Sequence, residues 1–312
     1  MSILNEIIKA SEIIDREFHN ISQEELDEFE LKIPVPKDHT RAKTLQEYSY
    51  KTEKVANVVR DDDLVLVDEH IQIDLDRNCA CISLRAIENQ LKDISYLEEF
   101  VKSLPDSNRI VGVGGGLVLN AVGYIAESLE KDLVYFPTSI TAAADSTVGG
   151  KVRANRIDKD NFHKHFHKTF YEPNFVCVDW DFFTTLNDKQ ITVGLAEIIK
   201  HGLYQSDELS KYLLSSEFNP IEDTYSLKKA ILWTVNLKKV ALDIDPEESP
   251  SGSYYILRGG HDISDQIEEQ SGLTIPHTEA VLTGMYRDLR DTDKIKILEE
   301  IYAKFNLEEF KY

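Results

Sequence analysis

The sequence is poor in basic residues and has no long apolar run. It carries 35 lysines and arginines against 56 aspartates and glutamates, a formal net charge of −21 at pH 7. Such a chain repels a phosphate backbone, and its one basic concentration, residues 159–168, is short, so nucleic acid is not an expected partner. No apolar stretch reaches the roughly 20 residues that a membrane-spanning helix needs, so no membrane association is expected.

Cysteine is scarce as well. Of the three cysteines, Cys79 and Cys81 stand one residue apart in a strand-like stretch, so they point to opposite faces and do not pair easily. Neither a disulfide framework nor a cysteine zinc site is indicated, which favours a reducing cytoplasm. The first 18 residues lack the basic start and continuous apolar stretch of a signal peptide and instead predict an acidic amphipathic helix.

The first part of the chain has an α/β pattern. Continuous apolar strands that alternate with helices are typical of a parallel sheet covered on both faces. Residues 32–60, with Pro34 and Pro36, read as irregular. Strands are predicted at 64–70, 80–84, 109–116, 133–139 and 175–183, and helices at 1–30, 92–103 and 117–129.

Helical patterns dominate after residue 185. The expected architecture is therefore an N-terminal α/β domain, residues 1–183, with residues 1–60 as an atypical leader, followed by a mainly α-helical domain, residues 184–312. Helices are predicted at 188–203, 206–215, 224–243, 261–270, 277–289 and 291–305.

A glycine-rich turn lies where a predicted strand meets a predicted helix. Gly112 and residues 114–116 allow backbone N–H groups to approach a pyrophosphate at the helix N-terminus, where the helix dipole favours an anion. The spacing is not the usual G-x-G-x-x-G, and a tight structural turn is the alternative. Asp68 or Glu69, at the end of an earlier strand, could accept hydrogen bonds from a ribose.

Three separated residues are candidate metal ligands. Glu197 lies on a predicted helix together with Lys200, and His261 and His277 each begin another helix. A carboxylate and two imidazoles make an open three-ligand site suited to a catalytic metal. Their spacing alone leaves a surface or core role open for each histidine.

Seven blocks of sequence stand in an order typical of one enzyme family. They cover the chain from about residue 63 to 285, and together they are far more specific than any one of them. The blocks are VGGGLVLNAVGYIA (113–126), FPTSITAAADSTVGGK (136–151), FYEP (170–173), GLAEIIKHGL (194–203), LKKVALDID (237–245), LRGGHDISDQIE (257–268) and HTEAV (277–281).

Through these blocks the chain resembles 3-dehydroquinate synthase and the related sugar phosphate cyclases. The resemblance implies an NAD-binding α/β domain, a helical metal-binding domain, and a homodimer. It places zinc or cobalt on Glu197, His261 and His277, and a sugar phosphate near Lys151, Lys200, Lys238, Arg258 and Asp265. It places NAD near Asp68, Lys92, Gly114, Gly115, Gly116, Asn120, Thr138, Ser139, Asp145 and Ser146.

The family's chemistry suits these groups. NAD takes a hydride from a substrate hydroxyl, and the new ketone acidifies the neighbouring C–H bond. Phosphate then leaves, the hydride returns, and an intramolecular aldol reaction closes a carbocycle, while metal and lysines stabilise anionic charge.

Several positions depart from the family pattern around the substrate. Asn120 replaces the aspartate that ends the glycine turn, and Asp265 replaces a histidine. Tyr254 stands where dehydroquinate synthase holds a carboxylate with an arginine, although Arg258 could take that role. In the family, an arginine reaches the phosphate bound by a neighbouring subunit. Its position falls near Leu129 here, which puts the shared active site in doubt.

An insert and a short C-terminus are further departures. The segment after Lys151 is about four residues longer than in dehydroquinate synthase, so the family's GKN maps either to residues 164–165 or to residues 159–161. Strand alternation would put His163, His165 and His167 on one face, as a second metal or anion site or as a solvated basic loop. The family's late phosphate-contacting lysine has no evident counterpart.

The sequence therefore favours an NAD- and metal-dependent sugar phosphate cyclase with an altered substrate. One alternative is a polyol or glycerol phosphate dehydrogenase of the same superfamily, although those enzymes more often carry aspartate where Glu197 stands. Another is a protein without catalytic activity that binds NAD and metal.

Overall fold

The computed structural model describes residues 2–158 and 161–312, and within them it forms two compact units. One unit is Glu28–Phe183; the other combines Met1–Asp27 with Thr184–Tyr312. The strands are β1 Glu30–Pro34, β2 Glu47–Thr52, β3 Asp63–Asp68, β4 Ala80–Leu84, β5 Arg109–Gly114, β6 Asp132–Pro137, β7 Lys151–Asp158, β8 Asn161–Phe170 and β9 Phe175–Val178. The helices are α1 Ile3–Asn20, α2 Gln23–Asp27, α3 Val55–Val58, α4 Glu88–Leu91, α5 Ile94–Ser103, α6 Gly116–Ser128, α7 Asp188–Gly194, α8 Ala196–Tyr204, α9 Asp207–Leu214, α10 Thr224–Ile244, α11 Ser253–Leu257, α12 His261–Gln270, α13 His277–Leu289 and α14 Ile295–Phe305.

A seven-stranded sheet, counted over the described residues, forms the centre of the first unit in the order β1-β2-β9-β6-β5-β3-β4. All neighbouring strands run parallel except β1, which is antiparallel to β2. In β3 the side chains of residues 64–66 are fully buried, as continuous apolar strands require in a sheet covered on both faces. The predicted α/β fold with a parallel sheet is confirmed.

The segment 32–60, predicted to be irregular, contributes two strands to this sheet. Tyr48 and Tyr50 of β2 are buried, and the polar residues between and beside them conceal the strand in the sequence. The prediction was wrong here because β2 is stabilised by its parallel pairing with the apolar strand β9, a partner more than 120 residues away. The second sheet of the unit is the antiparallel hairpin of β7 and β8.

The other unit is helical, as predicted, but it also contains the first 27 residues, which were expected in the N-terminal domain. Helix α1 packs on α10 because one face of it is apolar: the Phe18 ring stacks on Trp233 with centroids 5.7 Å apart. Asp15 of α1 is buried and accepts hydrogen bonds from Trp233 Nε1 (2.9 Å) and Ser206 Oγ (2.6 Å). The chain passes from the sheet unit to the helical unit after Phe183, and of the leader only residues 1–27 lie in the helical unit, whereas residues 28–60 lie in the sheet unit.

Across the described residues, no helix combines the length and apolarity needed to cross a membrane.

Candidate metal centre and cofactor cradle

Three helices of the helical unit bring the predicted metal ligands together. Glu197 lies in the first turn of α8, and His261 and His277 are the first residues of α12 and α13. One ligand atom from each lies within 4.8 Å of the others. The Nε2 atoms of His261 and His277 are 3.5 and 4.0 Å from Glu197 Oε1.

Two glycines allow α12 and α13 to approach closely enough for this. Gly260 ends the preceding turn with φ +72°, a left-handed conformation that favours glycine. A Cβ on Gly284 of α13 would lie 2.2 Å from Gly260 O, so any side chain there would separate the helices. The close approach leaves the His261 and His277 rings 5.3 Å apart between centroids.

The outer nitrogen of each ring is held by an acceptor. His261 Nδ1 donates to the Gly259 carbonyl (3.2 Å), and His277 Nδ1 donates to Glu268 Oε1 (2.7 Å). An N–H on Nδ1 leaves the Nε2 lone pair facing Glu197, and metal-binding histidines in proteins are held in this way. Sequence reasoning missed Glu268; its position two helical turns after His261 was the available signal.

Glu197 is buried, and the neighbouring Lys200 ammonium keeps its carboxylate ionised. Burial by itself raises the pKa of this carboxyl, but the Lys200 ammonium holds the pKa well below its usual value. Burial likewise lowers the pKa of His261, which favours the neutral ring that binds metal. Glu197 Oε1 accepts no hydrogen bond from any described residue.

These observations fit a divalent cation. A buried carboxylate oxygen without a hydrogen-bond donor faces two imidazole lone pairs, which is the donor set that zinc or cobalt accepts. The other oxygen, Oε2, is paired with Lys200 Nζ, which also donates to Leu257 O (3.0 Å). The arrangement leaves coordination positions available for substrate oxygens.

The other predicted substrate residues of this unit are distributed around α10, α11 and α12. Lys238 is a buried residue of α10. Arg258 Nη2 donates to Asp262 (2.8 Å) and Asp265 (2.7 Å), and Tyr254 Oη donates to Asp262 (3.0 Å). Burial by itself lowers the pKa of Arg258, but the two carboxylates raise it.

Asp265 shares a helix face with His261 and was therefore considered as a neighbour of the metal. In the structure its carboxylate accepts from Arg258, and Glu268, one turn later, contacts the ligand histidine instead. The difference arises because Glu268 reaches the N-terminus of α13 whereas Arg258 lies in the loop that precedes α12.

The glycine turn of the sheet unit has the shape of a phosphate cradle. Gly114 ends β5, Gly115 caps α6, and Gly116 begins it. A Cβ on Gly115 would lie 3.5 Å from Ser139 Oγ, and one on Gly116 would lie 3.3 Å from Ser146 Oγ. Both hydroxyls therefore lie beside the N-terminus of α6, where an anion is stabilised.

Two further residues of the predicted NAD set, Thr138 and Asp145, lie in the segment that follows β6. Thr138 follows β6, and its N–H donates to Gly114 O (3.0 Å), which fixes the turn. Asp145 and Ser146 belong to one wide helical turn, Ala142–Ser146.

The Asn120 side chain is bonded to the backbone of the neighbouring strand β7. Its Nδ2 donates to Arg153 O (2.7 Å), and its Oδ1 accepts from Arg153 N–H (2.9 Å). These two bonds attach α6 to β7 and engage both ends of the amide, and the predicted contact of Asn120 with the cofactor stays a prediction.

The two residues expected at the adenosine end have local partners. Asp68 Oδ1 accepts from the His70 backbone N–H (3.0 Å), and Lys92 Nζ is paired with Glu88. Lys151, the remaining predicted substrate lysine, begins β7 directly after Gly149 and Gly150.

The histidine-rich insert forms β8, but the three histidines do not form a metal site among the described residues. The hairpin register slips between Ala154 and Arg156, and His165 has φ +54°, so the alternation that would align the histidines is broken. His167 Nε2 is instead paired with Glu127 (3.0 Å). The mapping of the GKN motif to residues 159–161 includes residues 159 and 160, which lie outside the described residues.

The comparison with known proteins agrees with this fold. The model of the 3-dehydroquinate synthase N-terminal domain matches residues 82–193, and that of the C-terminal domain matches residues 194–307. The fold is the two-domain, dehydroquinate synthase-like fold. The chain belongs to the 3-dehydroquinate synthase family.

Relatives of known function are similar over part of their length. The 3-dehydroquinate synthase of Saccharolobus solfataricus is 30% identical over 210 residues, 66% of this chain and 58% of that protein. The chain spans about three fifths of the length of the first curated relatives it matches.

Among solved structures, the fold is similar to that of two cyclases. The 2-epi-5-epi-valiolone synthase of Streptomyces hygroscopicus subsp. jinggangensis, which has NAD+ and Zn2+ bound, has a TM-score of 0.68 at 19% identity, with 83% of this chain and 81% of that chain covered. The 2-deoxy-scyllo-inosose synthase in complex with carbaglucose-6-phosphate, NAD+ and Co2+ has a TM-score of 0.68 at 18% identity, with 90% and 82% covered.

Proposed function

We propose that the protein is an NAD- and divalent-metal-dependent sugar phosphate cyclase, which eliminates phosphate from its substrate and closes a carbocycle. The observation that carries this proposal is the buried Glu197 Oε1, which has no hydrogen-bond donor among the described residues and faces the Nε2 atoms of His261 and His277. A metal bound there would acidify a substrate hydroxyl and stabilise the oxyanions of the reaction.

Lys200 and Glu268 prepare this site for chemistry. The Lys200 ammonium keeps Glu197 ionised and adds a positive charge where anionic oxygen develops. Glu268 fixes the tautomer of His277, so that Nε2 carries the lone pair. We assign Lys238 and Lys151 to the contacts with anionic groups of the substrate, as their places in the family blocks suggest.

The glycine turn of the sheet unit would hold the cofactor. The N–H groups that begin α6, with the Ser139 and Ser146 hydroxyls beside them, are donors for the pyrophosphate of NAD. Bound NAD+ supplies a reversible hydride transfer, so it is regenerated in each turnover.

The contacts of Arg258 support a substrate different from that of dehydroquinate synthase. Tyr254 stands where that enzyme has a carboxylate-binding arginine, and Arg258 is already paired with Asp262 and Asp265. A substrate carboxylate would have to compete with two protein carboxylates for this guanidinium. We therefore propose a sugar phosphate that lacks a carboxylate, of the kind used to build cyclitols.

The test is an assay with two readouts. Purified protein with NAD+ and Zn2+ or Co2+ is offered six- and seven-carbon sugar phosphates, with and without a carboxylate, while phosphate release and NADH absorbance are followed. A cyclase releases phosphate without net NADH. Accumulation of NADH without phosphate would identify a dehydrogenase, and neither signal with any substrate would contradict the proposed activity.

A control variant links activity to the metal. Glu197→Ala should abolish both metal binding and phosphate release, whereas Asp207→Ala, an exposed position of the next helix, should change neither. The homodimer that the family resemblance implies is checked on the same samples by measuring the mass in solution.

A further inference from the structure

The turn that leads into Lys151 is held in one conformation by a small number of contacts. Gly149 and Gly150 have φ values of +95° and +65°, a pair of left-handed conformations that only glycine adopts readily. The Gly149 N–H donates to Tyr48 Oη (3.0 Å), and Tyr171 N–H donates to Gly150 O (2.7 Å). The position of Lys151 follows from this turn because Lys151 is the next residue.

Glu172 lies directly against the turn. A Cβ on Gly150 would lie 2.8 Å from Glu172 Cδ, and the Glu172 side chain is only 1% exposed. Its Oε1 accepts a hydrogen bond from His39 Nδ1, and its Oε2 is buried and accepts none from the described residues. A buried carboxylate with an unsatisfied oxygen is costly, so a role in stability alone does not explain it.

His39 also contacts Phe170, the residue opposite Lys151 in the hairpin. Its ring stacks on Phe170 with centroids 4.0 Å apart and planes inclined by 16°. Phe170 is the cross-strand partner of Lys151 in the β7–β8 hairpin, so the side chains of these two residues project to the same face. One histidine thus restrains both the turn before Lys151, through Glu172, and the residue opposite it.

The segment that carries His39 precedes the region matched by the family model, which begins at residue 82. Arg41 anchors it, because its guanidinium lies 4.5 Å from the centre of the Tyr171 ring and its Nη2 donates to Asn174 Oδ1 (3.0 Å). Both contacts are made to the chain immediately around Glu172.

We propose that His39 is a positioning residue for Lys151, acting through its hydrogen bond to Glu172 and its stacking on Phe170. The inference rests on the proposed function, in which Lys151 contacts the substrate. It adds a specific contribution of the N-terminal segment to the substrate site, which the family region alone would not supply.

The reactivity of the Lys151 amine tests this without requiring catalysis. The protein loaded with NAD+ and Zn2+ is treated with acetic anhydride, and the labelling rate of Lys151 is measured by peptide mass spectrometry. His39→Phe keeps an aromatic ring but loses the donor to Glu172, and Glu172→Leu loses the acceptor. Both substitutions remove the hydrogen bond between His39 and Glu172 and so loosen the turn that holds the half-buried Lys151. Labelling should become about three- to tenfold faster, which corresponds to the free energy of one hydrogen bond.

Conservative and matched variants separate positioning from general packing. Glu172→Gln keeps an acceptor for His39 and should stay near the wild-type rate. His39→Gln keeps a donor without the ring and should fall between wild type and His39→Phe. His167→Phe is the control, since His167 is another histidine paired with a carboxylate, Glu127, and in edge contact with the Tyr124 ring on the same unit; its labelling rate should match that of the wild type.

Only variants whose circular dichroism and NAD+ affinity match the wild type are compared. If His39→Phe does not fold, Glu172→Leu, Glu172→Gln and His39→Gln answer the question. Wild-type labelling rates in Glu172→Leu and His39→Gln would overturn the inference, as would equal effects of Glu172→Gln and Glu172→Leu. If instead the variants show the predicted labelling pattern but the wild-type protein releases no phosphate, the proposed function fails while the positioning of Lys151 by His39 stands.

A double-variant cycle connects the pair to substrate binding. His39→Phe should raise the KM for the sugar phosphate in the wild-type background and add nothing further in Lys151→Ala. Additive effects of the two substitutions would show that His39 acts independently of Lys151, and would overturn the inference.

Discussion

His277 donates the hydrogen of its Nδ1 to Glu268 Oε1 at 2.7 Å. The carboxylate comes from the last turn of α12 and the imidazole from the first residue of α13, so the bond joins the two helices that each begin with a candidate metal ligand. It is the contact that turns the other ring nitrogen toward Glu197. Glu268 therefore determines how well the site is prepared for a metal.

Substitution of Glu268 should weaken metal binding without removing a ligand. Glu268→Ala is expected to lower the affinity for Zn2+ about 10- to 100-fold, the usual cost of losing the partner of a metal-binding histidine. Competition with a chromophoric chelator measures the affinity. Glu269→Ala, an exposed neighbour, is the control, and equal affinities of the two variants would contradict the role assigned to Glu268.

The N-terminal helix should stabilise the helical unit. Phe18→Ala removes a ring that is 2% exposed and stacked on Trp233, at an expected cost of about 3–5 kcal/mol in the free energy of unfolding. Ile13→Ala, on the exposed face of the same helix, should cost less than about 0.5 kcal/mol. Urea unfolding followed by tryptophan fluorescence makes the comparison, and a small effect of Phe18→Ala would separate α1 from this unit.

The predictable part of the fold was the part stabilised locally. The apolar strands β3, β5 and β6 and the periodic helices α12 and α13 carry their pattern in their own sequence. The segment with the β2 tyrosines forms a strand because it pairs with the distant β9. The sequence of α1 shows an apolar face but does not indicate that this face packs on α10.

The same distinction applies to the candidate site. The metal ligands could be identified because each lies in a recognisable block, and the resemblance supplied what their spacing could not. Glu268 and the pairing of Arg258 with Asp265 could not be assigned, because they depend on how the turn before α12 and the start of α13 are oriented. Asn120 was assigned to the cofactor from its place in the chain, whereas its amide is used by the backbone of β7.

Asn120 should matter for stability more than for cofactor binding. Asn120→Ala removes two hydrogen bonds to the Arg153 backbone and should cost about 1–3 kcal/mol. The Kd for NAD+, measured by calorimetry below the unfolding transition, should stay within about twofold of the wild type. Asn57→Ala, at an exposed position of the same unit, is the control. A large loss of NAD+ affinity with unchanged stability would contradict this prediction and indicate that Asn120 contacts the cofactor.

Asp245 should make stability depend on pH in the acid range. Its Oδ2 accepts from the backbone N–H groups of Ser249 (2.9 Å) and Ser253 (2.7 Å) and from both hydroxyls. Burial by itself raises the pKa of the Asp245 carboxyl, but these hydrogen bonds hold it below the unfolded value of 3.8. The stabilisation is therefore complete at pH values above the unfolded pKa and is lost as the pH falls through the folded pKa.

Asp245→Asn should cost about 1.5–3 kcal/mol near neutral pH, the range for hydrogen bonds to a charged group. The difference from the wild type should shrink as the pH is lowered below about 4. Asp243→Asn, an exposed position on the same helix, should show a much smaller effect. A difference that stays constant down to the acid transition would contradict the assignment.

We propose that Glu197, His261 and His277 hold one divalent metal ion. Crystals grown with Zn2+ and NAD+ allow a direct test by anomalous scattering on either side of the zinc absorption edge. We expect a single strong anomalous peak within bonding distance of Glu197 Oε1 and the two Nε2 atoms. A map with no peak at these three residues would contradict it.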